Sequence, residues 1–328
     1  MAFFVLRFDL RNPPVAGTTM AERYRAALDM AEWADRAGFY TIVLSEHHGS
    51  ADGYLPGALA MAAAMAARTS RIRIRVAAVV AAFHDPLRLA EDAAVVDNLS
   101  GGRLDLVVGA GYVPAEFAMF GVEPKERVRR TVETVTTLRN AWTGEPFEYR
   151  GRTVRVTPAP CSPGGPPLDL GGSSEAAARR AARLGVGFMA TDPGVWEFYR
   201  DETIRLGRPD PGPYLGGNTG FVHLAEDVEE GWEQIAPYAL HESASYGGWL
   251  AAGGPGSAEV YRPIGSVAEL RASGQYRVLR PAELVAELTE RGPLAVGLLH
   301  PMMGGIPPEI AWRSLRLLET EVLPRLDA

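Results

Sequence analysis

Short apolar runs and amphipathic helical patterns alternate along most of this 328-residue sequence. A strand that is buried on both faces reads as a short apolar run, whereas a helix shows apolar residues three or four positions apart. The predicted strands are 3–8, 40–44, 71–80, 104–108, 168–170, 187–190, 219–224 and 295–299, and the helices that follow them are 20–37, 57–68, 85–99, 126–142, 174–184, 195–206, 227 onward and 308–323. Such repetition predicts a parallel sheet, and eight strand–helix pairs favour a (β/α)8 TIM barrel in the α/β class.

A doubly wound open sheet is the alternative architecture. It usually has fewer units, and no Gly-x-Gly-x-x-Gly pattern follows the first predicted strand. We therefore expect one barrel domain over residues 1–328, with a β-hairpin at 147–154. The aromatic, glycine-rich region of about 240–280 is expected to be an irregular insertion near the C-terminal face of the barrel.

Composition and charge argue against several classes of function. A formal net charge of −7 and a pI near 5.5 disfavour a nucleic-acid partner, which would need a basic face. The single cysteine, Cys161, excludes internal disulfides and cysteine-based metal sites. No apolar stretch approaches the roughly 18 residues that a membrane helix needs, and the segment from Met1 lacks the pattern of a signal peptide. We expect a soluble, cytoplasmic protein.

The apolar run that ends at Leu44 is followed directly by Ser45-Glu46-His47-His48. In a barrel, the residues at the carboxyl ends of the strands line the active site. Successive residues of an extended chain point in opposite directions, so only one of His47 and His48 is expected to face the centre. Spacing alone equally allows these side chains only to hydrogen-bond loops. We predict no metal site, because adjacent histidines do not form a ligand pair and no His-x-x-x-His occurs.

Two glycine-containing turns follow later predicted strands. Gly171-Gly172-Ser173-Ser174 precedes a helix, where unpaired N–H groups and the helix dipole favour an anion such as phosphate; the alternative is a tight turn with a serine cap. Gly109-Ala110-Gly111 allows close packing against a flat ligand, or it is a simple turn. Further strand ends and the 240–280 region supply candidate substrate-pocket residues, with a purely structural cluster as the alternative. These candidates are Phe8, His48, Tyr112, Tyr246, Trp249 and His300.

With these residues in view, the sequence resembles the bacterial luciferase-like flavin-dependent monooxygenases. The matching pieces are Ser45-Glu46-His47-His48, Asp85-Pro86-Leu87-Arg88-Leu89-Ala90-Glu91-Asp92, Leu99-Ser100-Gly101-Gly102-Arg103, Gly109-Ala110-Gly111-Tyr112, Glu116-Phe117, Phe120-Gly121, Gly171-Gly172-Ser173-Ser174 and Val322-Leu323-Pro324. Each piece is modest alone, but the ordered set is specific and extends over nearly the whole chain.

The resemblance implies a barrel that binds reduced FMN supplied by a separate reductase. Oxygen adds to the flavin, and the peroxyflavin oxygenates a small organic substrate such as an aldehyde or ketone. The family's site histidine falls on His47, which would stabilise or protonate the peroxyflavin, as an imidazole near neutral pKa can. Glu46 would orient an imidazole or the loop. Members often dimerise, which makes a homodimer plausible for this chain.

The resemblance also assigns cofactor contacts. A non-proline cis peptide against which the flavin ring packs falls on Ala77-Ala78, and the phosphate contacts fall on Gly172, Ser173 and Ser174. The chain departs from many FMN-using members at Ala110, where they carry an arginine. Relatives with a deazaflavin cofactor often show the Gly-Ala-Gly pattern and transfer hydride, so a deazaflavin-dependent oxidoreductase is the first alternative. A non-catalytic flavin-binding protein is the second.

Overall fold

The computed structural model describes residues 2–216, 220–253 and 264–326. The strands in these residues are β1 (Phe3–Phe8), β2 (Thr41–Leu44), β3 (Arg73–Val80), β4 (Leu104–Gly109), β5 (Phe147–Tyr149), β6 (Arg152–Val154), β7 (Leu168–Gly172), β8 (Gly187–Ala190), β9 (Phe221–Leu224), β10 (Tyr276–Leu279) and β11 (Val296–Leu299). The helices are α1 (Met20–Arg36), α2 (Ala58–Arg68), α3 (Pro86–Ser100), α4 (Pro114–Met119), α5 (Arg127–Ala141), α6 (Glu175–Leu184), α7 (Pro193–Arg205), α8 (Val228–Ala252), α9 (Val267–Ser273), α10 (Pro281–Arg291), α11 (Pro308–Leu317) and α12 (Leu323–Leu326).

Nine of these strands form one parallel sheet in the order β10-β9-β11-β1-β2-β3-β4-β7-β8. The short β5 and β6 pair with each other as the predicted antiparallel hairpin. The parallel α/β architecture is confirmed, with nine strands instead of the predicted eight, because β10 lies within the region expected to be irregular. Within the described ranges no strand ladder joins β8 to β10, the two ends of the sheet.

The two faces of the sheet differ in polarity, as the alternation of side chains along a strand requires. Leu6 and Phe8 on β1 are completely buried and belong to the hydrophobic core. The intervening Arg7 is half-buried and donates a hydrogen bond to the Tyr246 hydroxyl at 3.0 Å. Helix α8, which carries Tyr246, therefore reaches the polar face of the sheet.

The region of about 240–280 is not an irregular insertion where the structure describes it. Residues 240–252 continue helix α8, and residues 267–279 form α9 and β10. The sequence pattern obscured this helix because Pro237 lies inside it and its buried residues mix aromatic, polar and small side chains with a single large aliphatic one, Ile235. Trp232, Ile235, Glu242 and Tyr246 are among these buried residues. Residues 254–263, also within the expected insertion, lie outside the described residues.

Two charged side chains fix the turn that leads into β3. The buried carboxylate of Asp35, at the end of α1, accepts hydrogen bonds from the backbone N–H groups of Ser70, Arg71 and Ile72 at 3.0, 2.8 and 2.7 Å. From the other side, Arg103 donates to the carbonyl oxygens of residues 66, 69, 72 and 100. These bonds satisfy backbone groups that no helix or strand ladder pairs. The hydrogen bonds of Asp35 and Arg103 thus fix the start of β3. Ala77 and Ala78 lie towards the other end of this strand.

We predict that Asp35→Ala lowers the free energy of unfolding by about 3 kcal/mol, because it leaves buried N–H groups without an acceptor. Chemical denaturation at pH 7 measures the change. The matched control is Asp29→Ala on the same helix, which removes an exposed ion pair with Arg68 and should cost less than about 1 kcal/mol.

The same pair of variants gives a pH test. Hydrogen bonds from the three N–H groups outweigh burial and hold the pKa of Asp35 below its ordinary 3.8. Its contribution is therefore complete above that pH and is lost as the pH falls towards the folded-state pKa. Equal destabilisation by the two substitutions at pH 7 would contradict the anchoring role of Asp35.

Candidate active site

The candidate site lies at the carboxyl ends of β2, β3 and β4, with α4 and the C-terminal half of α8 beside it. The chain leaves β2 at Leu44, and the backbone N–H of His47 then donates to the carbonyl of Leu55 at 3.2 Å. This bond holds the segment after the strand in a fixed course, so that the side chains of Glu46, His47 and His48 occupy defined positions.

His47 is paired with Glu116, the acidic residue on the short helix α4. The Nδ1–H of His47 donates to Glu116 Oε1 at 2.8 Å, and the same oxygen accepts the backbone N–H of His48, also at 2.8 Å. Glu116 is only 2% exposed, and its second carboxylate oxygen has no hydrogen-bond partner among the described residues. Because Nδ1 carries the donated proton, Nε2 presents its lone pair on the other side of the ring, 3.5 Å from the Tyr112 hydroxyl.

Aromatic rings enclose His47. Its ring centroid is 4.3 Å from that of Trp249 at an interplanar angle of 30°, and Tyr54, Tyr112 and Tyr246 meet it edge-on. Burial lowers the pKa of His47; the hydrogen bond and charge of Glu116 oppose this shift without cancelling it. The imidazole is therefore neutral at pH 7, and Glu116 is in place to stabilise the cation if Nε2 takes a proton.

Glu46 hydrogen-bonds to two histidines and to a backbone N–H group. Its Oε1 accepts from His48 Nε2 at 3.0 Å, from His84 Nε2 at 2.9 Å and from the backbone N–H of Val80 at 3.2 Å. Burial would raise the pKa of Glu46, but the hydrogen bonds and charges of the two histidines outweigh it and lower the pKa to about 2. Glu46 is thus placed to orient the imidazoles of His48 and His84. The partner of His47 is Glu116.

The expectation that only one of the adjacent histidines faces the centre agrees with their surroundings. His47 lies among the rings contributed by α8 and residues 54 and 112, whereas the His48 ring meets Phe83 and Phe120 edge-on at 5.6 and 4.8 Å. His48 thus contacts two phenylalanines and hydrogen-bonds to Glu46, and its place in a substrate pocket stays a prediction.

A buried cation, Arg11, contacts three of these aromatic rings. Its guanidinium lies 4.6 Å from the ring centroid of Tyr54, 5.1 Å from Tyr246 and 4.7 Å from Trp249. It also forms ion pairs with Asp9 and Asp52. Contacts of a cation with ring faces are strongest where water is excluded, so Arg11 fixes three of the rings that surround His47.

Small residues on β3 and β4 lie at the same end of the sheet as this group. The peptide bond between Ala77 and Ala78 is cis, as the resemblance implies, and the β3–β4 register shifts between Ala77 and Val79. A Cβ on Gly109 would lie 3.1 Å from the Ala78 Cβ, so a side chain there would crowd the strand pair. Ala77, Ala78 and residues 109–112 are only half-buried. Their surface is suited to a flat ring system.

The Gly171–Ser174 turn connects β7 to α6. The Ser174 hydroxyl caps the helix by accepting the N–H of Ala177 at 3.3 Å, and a Cβ on Gly172 would come within 2.5 Å of the Ala177 Cβ. Close packing and a serine cap therefore explain Gly172 and Ser174 without a ligand. The first N–H groups of α6 remain without intrahelical partners, which suits an anion. The adjacent open groove is lined by Ser174, Glu175, Ala176, Arg179, Arg180 and Arg183.

Two of the predicted pocket residues are buried away from any open surface. Phe8 is a core residue with no exposed area. His300 is also enclosed: its ring nitrogens lie 3.6 Å from oxygens of Asp9 and Glu242, and Phe221 contacts the ring edge. Neither side chain offers a surface to a substrate. Tyr112, Tyr246 and Trp249, in contrast, all contact His47.

The sequence pattern does not reveal the contacts of Glu116, His84, Tyr54 and Arg11. Glu116 was visible only as part of a Glu116-Phe117 match, five residues beyond the Gly109-Ala110-Gly111 turn. His84 precedes the Asp85-Pro86 helix start and gave no signal of its own. Tyr54 and Arg11 lie in loops, where sequence spacing carries no information on which residues meet.

Comparison with known proteins identifies similar sequences and similar folds. The family model described as luciferase-like monooxygenase matches residues 2–277. A monooxygenase from Streptomyces bottropensis has a similar structure, with a TM-score of 0.76, 26% identity and 99% coverage of both chains. The oxygenating constituent of 3,6-diketocamphane monooxygenase from Pseudomonas putida, solved with FMN, has a TM-score of 0.72 at 18% identity, covering 98% of both chains.

A relative with a different cofactor also matches. An F420-dependent glucose-6-phosphate dehydrogenase from Segniliparus rotundus is 34% identical over 221 residues, which are 64% of this chain and 65% of that protein. The chain spans less than half the length of each of the first three curated relatives that it matches. In the described part of the chain, no helix combines the length and hydrophobicity needed to cross a membrane. The match over residues 2–277 places this chain in the luciferase-like monooxygenase family.

Proposed function

We propose that this protein is the oxygenase component of a two-component monooxygenase, which uses reduced FMN and O₂ to oxygenate a small carbonyl compound. The observation that carries the proposal is the His47–Glu116 pair, which orients the imidazole at the strand ends that also carry the half-buried Ala77, Ala78 and residues 109–112. The FMN-bound neighbour that is called an oxygenating constituent supports both the cofactor and a separate reductase.

The residues present suit the cofactor. The half-buried surface of Ala77, Ala78 and Gly109 would hold the flavin ring, and the start of α6 with Ser173 would hold the phosphate. Bound there, reduced FMN would supply the electrons that activate O₂. Trp249 and Tyr246 would then exclude water from the surroundings of His47.

The proton chemistry is assigned to His47. With Nδ1–H held by Glu116, Nε2 accepts a proton during the reaction, and the carboxylate stabilises the resulting imidazolium. The cation then returns the proton from the same atom. Tyr112, with its hydroxyl 3.5 Å from Nε2, orients or relays that proton. Arg11 opposes the charged state of His47 and so favours return of the proton.

A deazaflavin-dependent oxidoreductase is the second candidate. Ala110 supplies no positive charge to a phosphate, and several curated relatives are F420-dependent dehydrogenases. In that case the same pocket would serve hydride transfer without O₂. A flavin-binding protein without turnover is the remaining alternative, and the His47–Glu116 pair disfavours it because simple binding requires no oriented imidazole.

We predict that Glu116→Gln lowers the pKa of His47 further. The substitution removes the negative charge that raises this pKa and keeps an oxygen that can accept the Nδ1–H. Titration of the histidine ring signals by NMR measures the change, with the wild-type pKa expected below the ordinary 6.5. His223, whose pKa burial lowers to about 4, is an internal reference remote from Glu116. A higher pKa of His47 in the variant would contradict the pairing.

We predict that His47→Ala lowers turnover with reduced FMN by about 100-fold or more, because the group that moves the proton is lost. Binding of reduced FMN should stay within a few-fold of wild type, since the phosphate and ring surfaces are elsewhere. The rate of formation of oxygenated product is the measured quantity. His241→Ala, which removes another half-buried histidine, is the comparison variant. Unchanged turnover in His47→Ala would refute the assigned role.

We predict that reduced FMN binds at least about tenfold more tightly than reduced deazaflavin, a difference of about 1.4 kcal/mol. Anaerobic titration with each cofactor measures affinity, and rapid mixing with O₂ then follows the absorbance. O₂-dependent oxidation coupled to oxygenation of a ketone supports the monooxygenase. Tighter deazaflavin binding with no reaction towards O₂ would assign hydride transfer instead, and binding without turnover of any carbonyl or alcohol would leave only flavin binding.

A further inference from the structure

We propose that Glu46, His48 and His84 form a binding site for a divalent first-row transition-metal ion. The three residues come from two different strand ends: Glu46 and His48 follow β2, and His84 follows β3. The inference rests on their geometry and does not depend on the proposed monooxygenase activity. It reverses the expectation from sequence, which considered only His47 with His48 and found no pair of ligands.

The three ligand atoms converge on one point. His48 Nε2 and His84 Nε2 lie 3.0 and 2.9 Å from the same oxygen of Glu46, and all three atoms are within 4.8 Å of one another. Two ligands bound to one ion at about 2.0–2.2 Å are about 3.0–3.4 Å apart in octahedral or tetrahedral arrangements. Small side-chain shifts therefore suffice to place an ion among them. Two imidazoles with one carboxylate suit zinc, cobalt or ferrous iron better than magnesium or calcium.

The surroundings favour a cation at this point. The Glu46 side chain is only 2% exposed, and Glu116, bonded to the backbone N–H of His48, places a second buried carboxylate nearby. An ion bound here would take the place of the two Nε2 protons that point towards Glu46. The charge of the ion would then balance the negative charge of the carboxylates.

Neighbouring rings fix the orientation of His48, and the site is accessible to solvent. Phe83 and Phe120 meet the His48 ring edge-on and fix its orientation, and the side chain of His48 is 10% exposed. The side chain of His84 is 30% exposed. An ion can therefore arrive from the solvent side, and its remaining coordination positions would be filled by water. A catalytic role is not required; the ion would fix the segment that follows β2.

A second acidic and histidine group, Asp9, Glu242 and His300, does not meet these conditions. Its ligand atoms also lie within 4.8 Å of one another, with each carboxylate 3.6 Å from a different nitrogen of the His300 ring. All three side chains have no exposed area. This geometry is that of an imidazole held between two carboxylates, without a route for an ion.

The test is a titration of the metal-free protein with Co²⁺, followed by visible absorption, with Zn²⁺ added afterwards as competitor. We expect one saturable Co²⁺ site per chain with a ligand-field spectrum that Zn²⁺ abolishes. Replacing one ligand, in His84→Asn or His48→Asn, should weaken binding on the order of 100-fold. His47→Asn is the matched control, since its ring faces Glu116, and it should bind within a few-fold of wild type.

Several results would overturn the proposal. They are absence of saturable Co²⁺ binding by the wild-type chain, equal affinity in all variants, or loss of binding in His47→Asn alone. The partly exposed His84 makes His84→Asn the variant least able to disturb folding, and its far-UV circular dichroism and melting temperature without metal should match wild type. Loss of Co²⁺ binding with unchanged folding in that variant assigns the ligand.

Discussion

The common direction of the nine strands in the main sheet is the constraint on which the candidate site depends. Parallel strands bring their carboxyl ends to one edge, so residues far apart in sequence are delivered to the same place. Glu46 to His48 after β2, Ala77 to His84 at the end of β3 and Gly109 to Glu116 after β4 meet there. Asp35 and Arg103 fix the entry to β3 and thus the position of its far end. Contacts at the amino end of β3 therefore help to position the candidate site residues at the carboxyl ends of the strands.

Glu116 helps to hold two adjacent histidines, His47 and His48, in different surroundings. One of its oxygens accepts both the His47 ring N–H and the His48 backbone N–H, so α4 is tied to the segment after β2. His47 then contacts the surrounding aromatic rings, whereas His48 hydrogen-bonds to Glu46, which also bonds to His84. A single buried carboxylate thus connects the proposed proton-transfer group with the proposed metal site. It also gives the neutral His47 a defined tautomer, which spacing in the sequence cannot specify.

Helix α8 encloses the site and explains why its region was misjudged. The helix contains Pro237 and several glycines, which lower helix propensity, yet its buried face makes contacts that more than offset this cost. Tyr246 reaches Arg7 and Tyr54, and Trp249 lies over His47. Arg11 beneath these rings joins them to the buried ion pairs at Asp9 and Asp52. Tertiary packing, not local preference, makes this segment helical.

The sequence by itself determined the alternation of strands and helices, the parallel α/β architecture and the identity of His47 as a residue at a strand end. These features depend on short-range periodicity and on caps such as Asp85 and Ser174, which act within a few residues. It also indicated the small residues Ala77, Ala78 and Gly109 through the family resemblance. Only the tertiary structure decided that Glu116 holds His47, that Glu46 joins His48 to His84, that Phe8 and His300 are buried and that β10 adds a ninth strand. The reason is physical: a hydrogen bond or ion pair forms between atoms about 3 Å apart, and the distance along the chain between those residues places almost no limit on it.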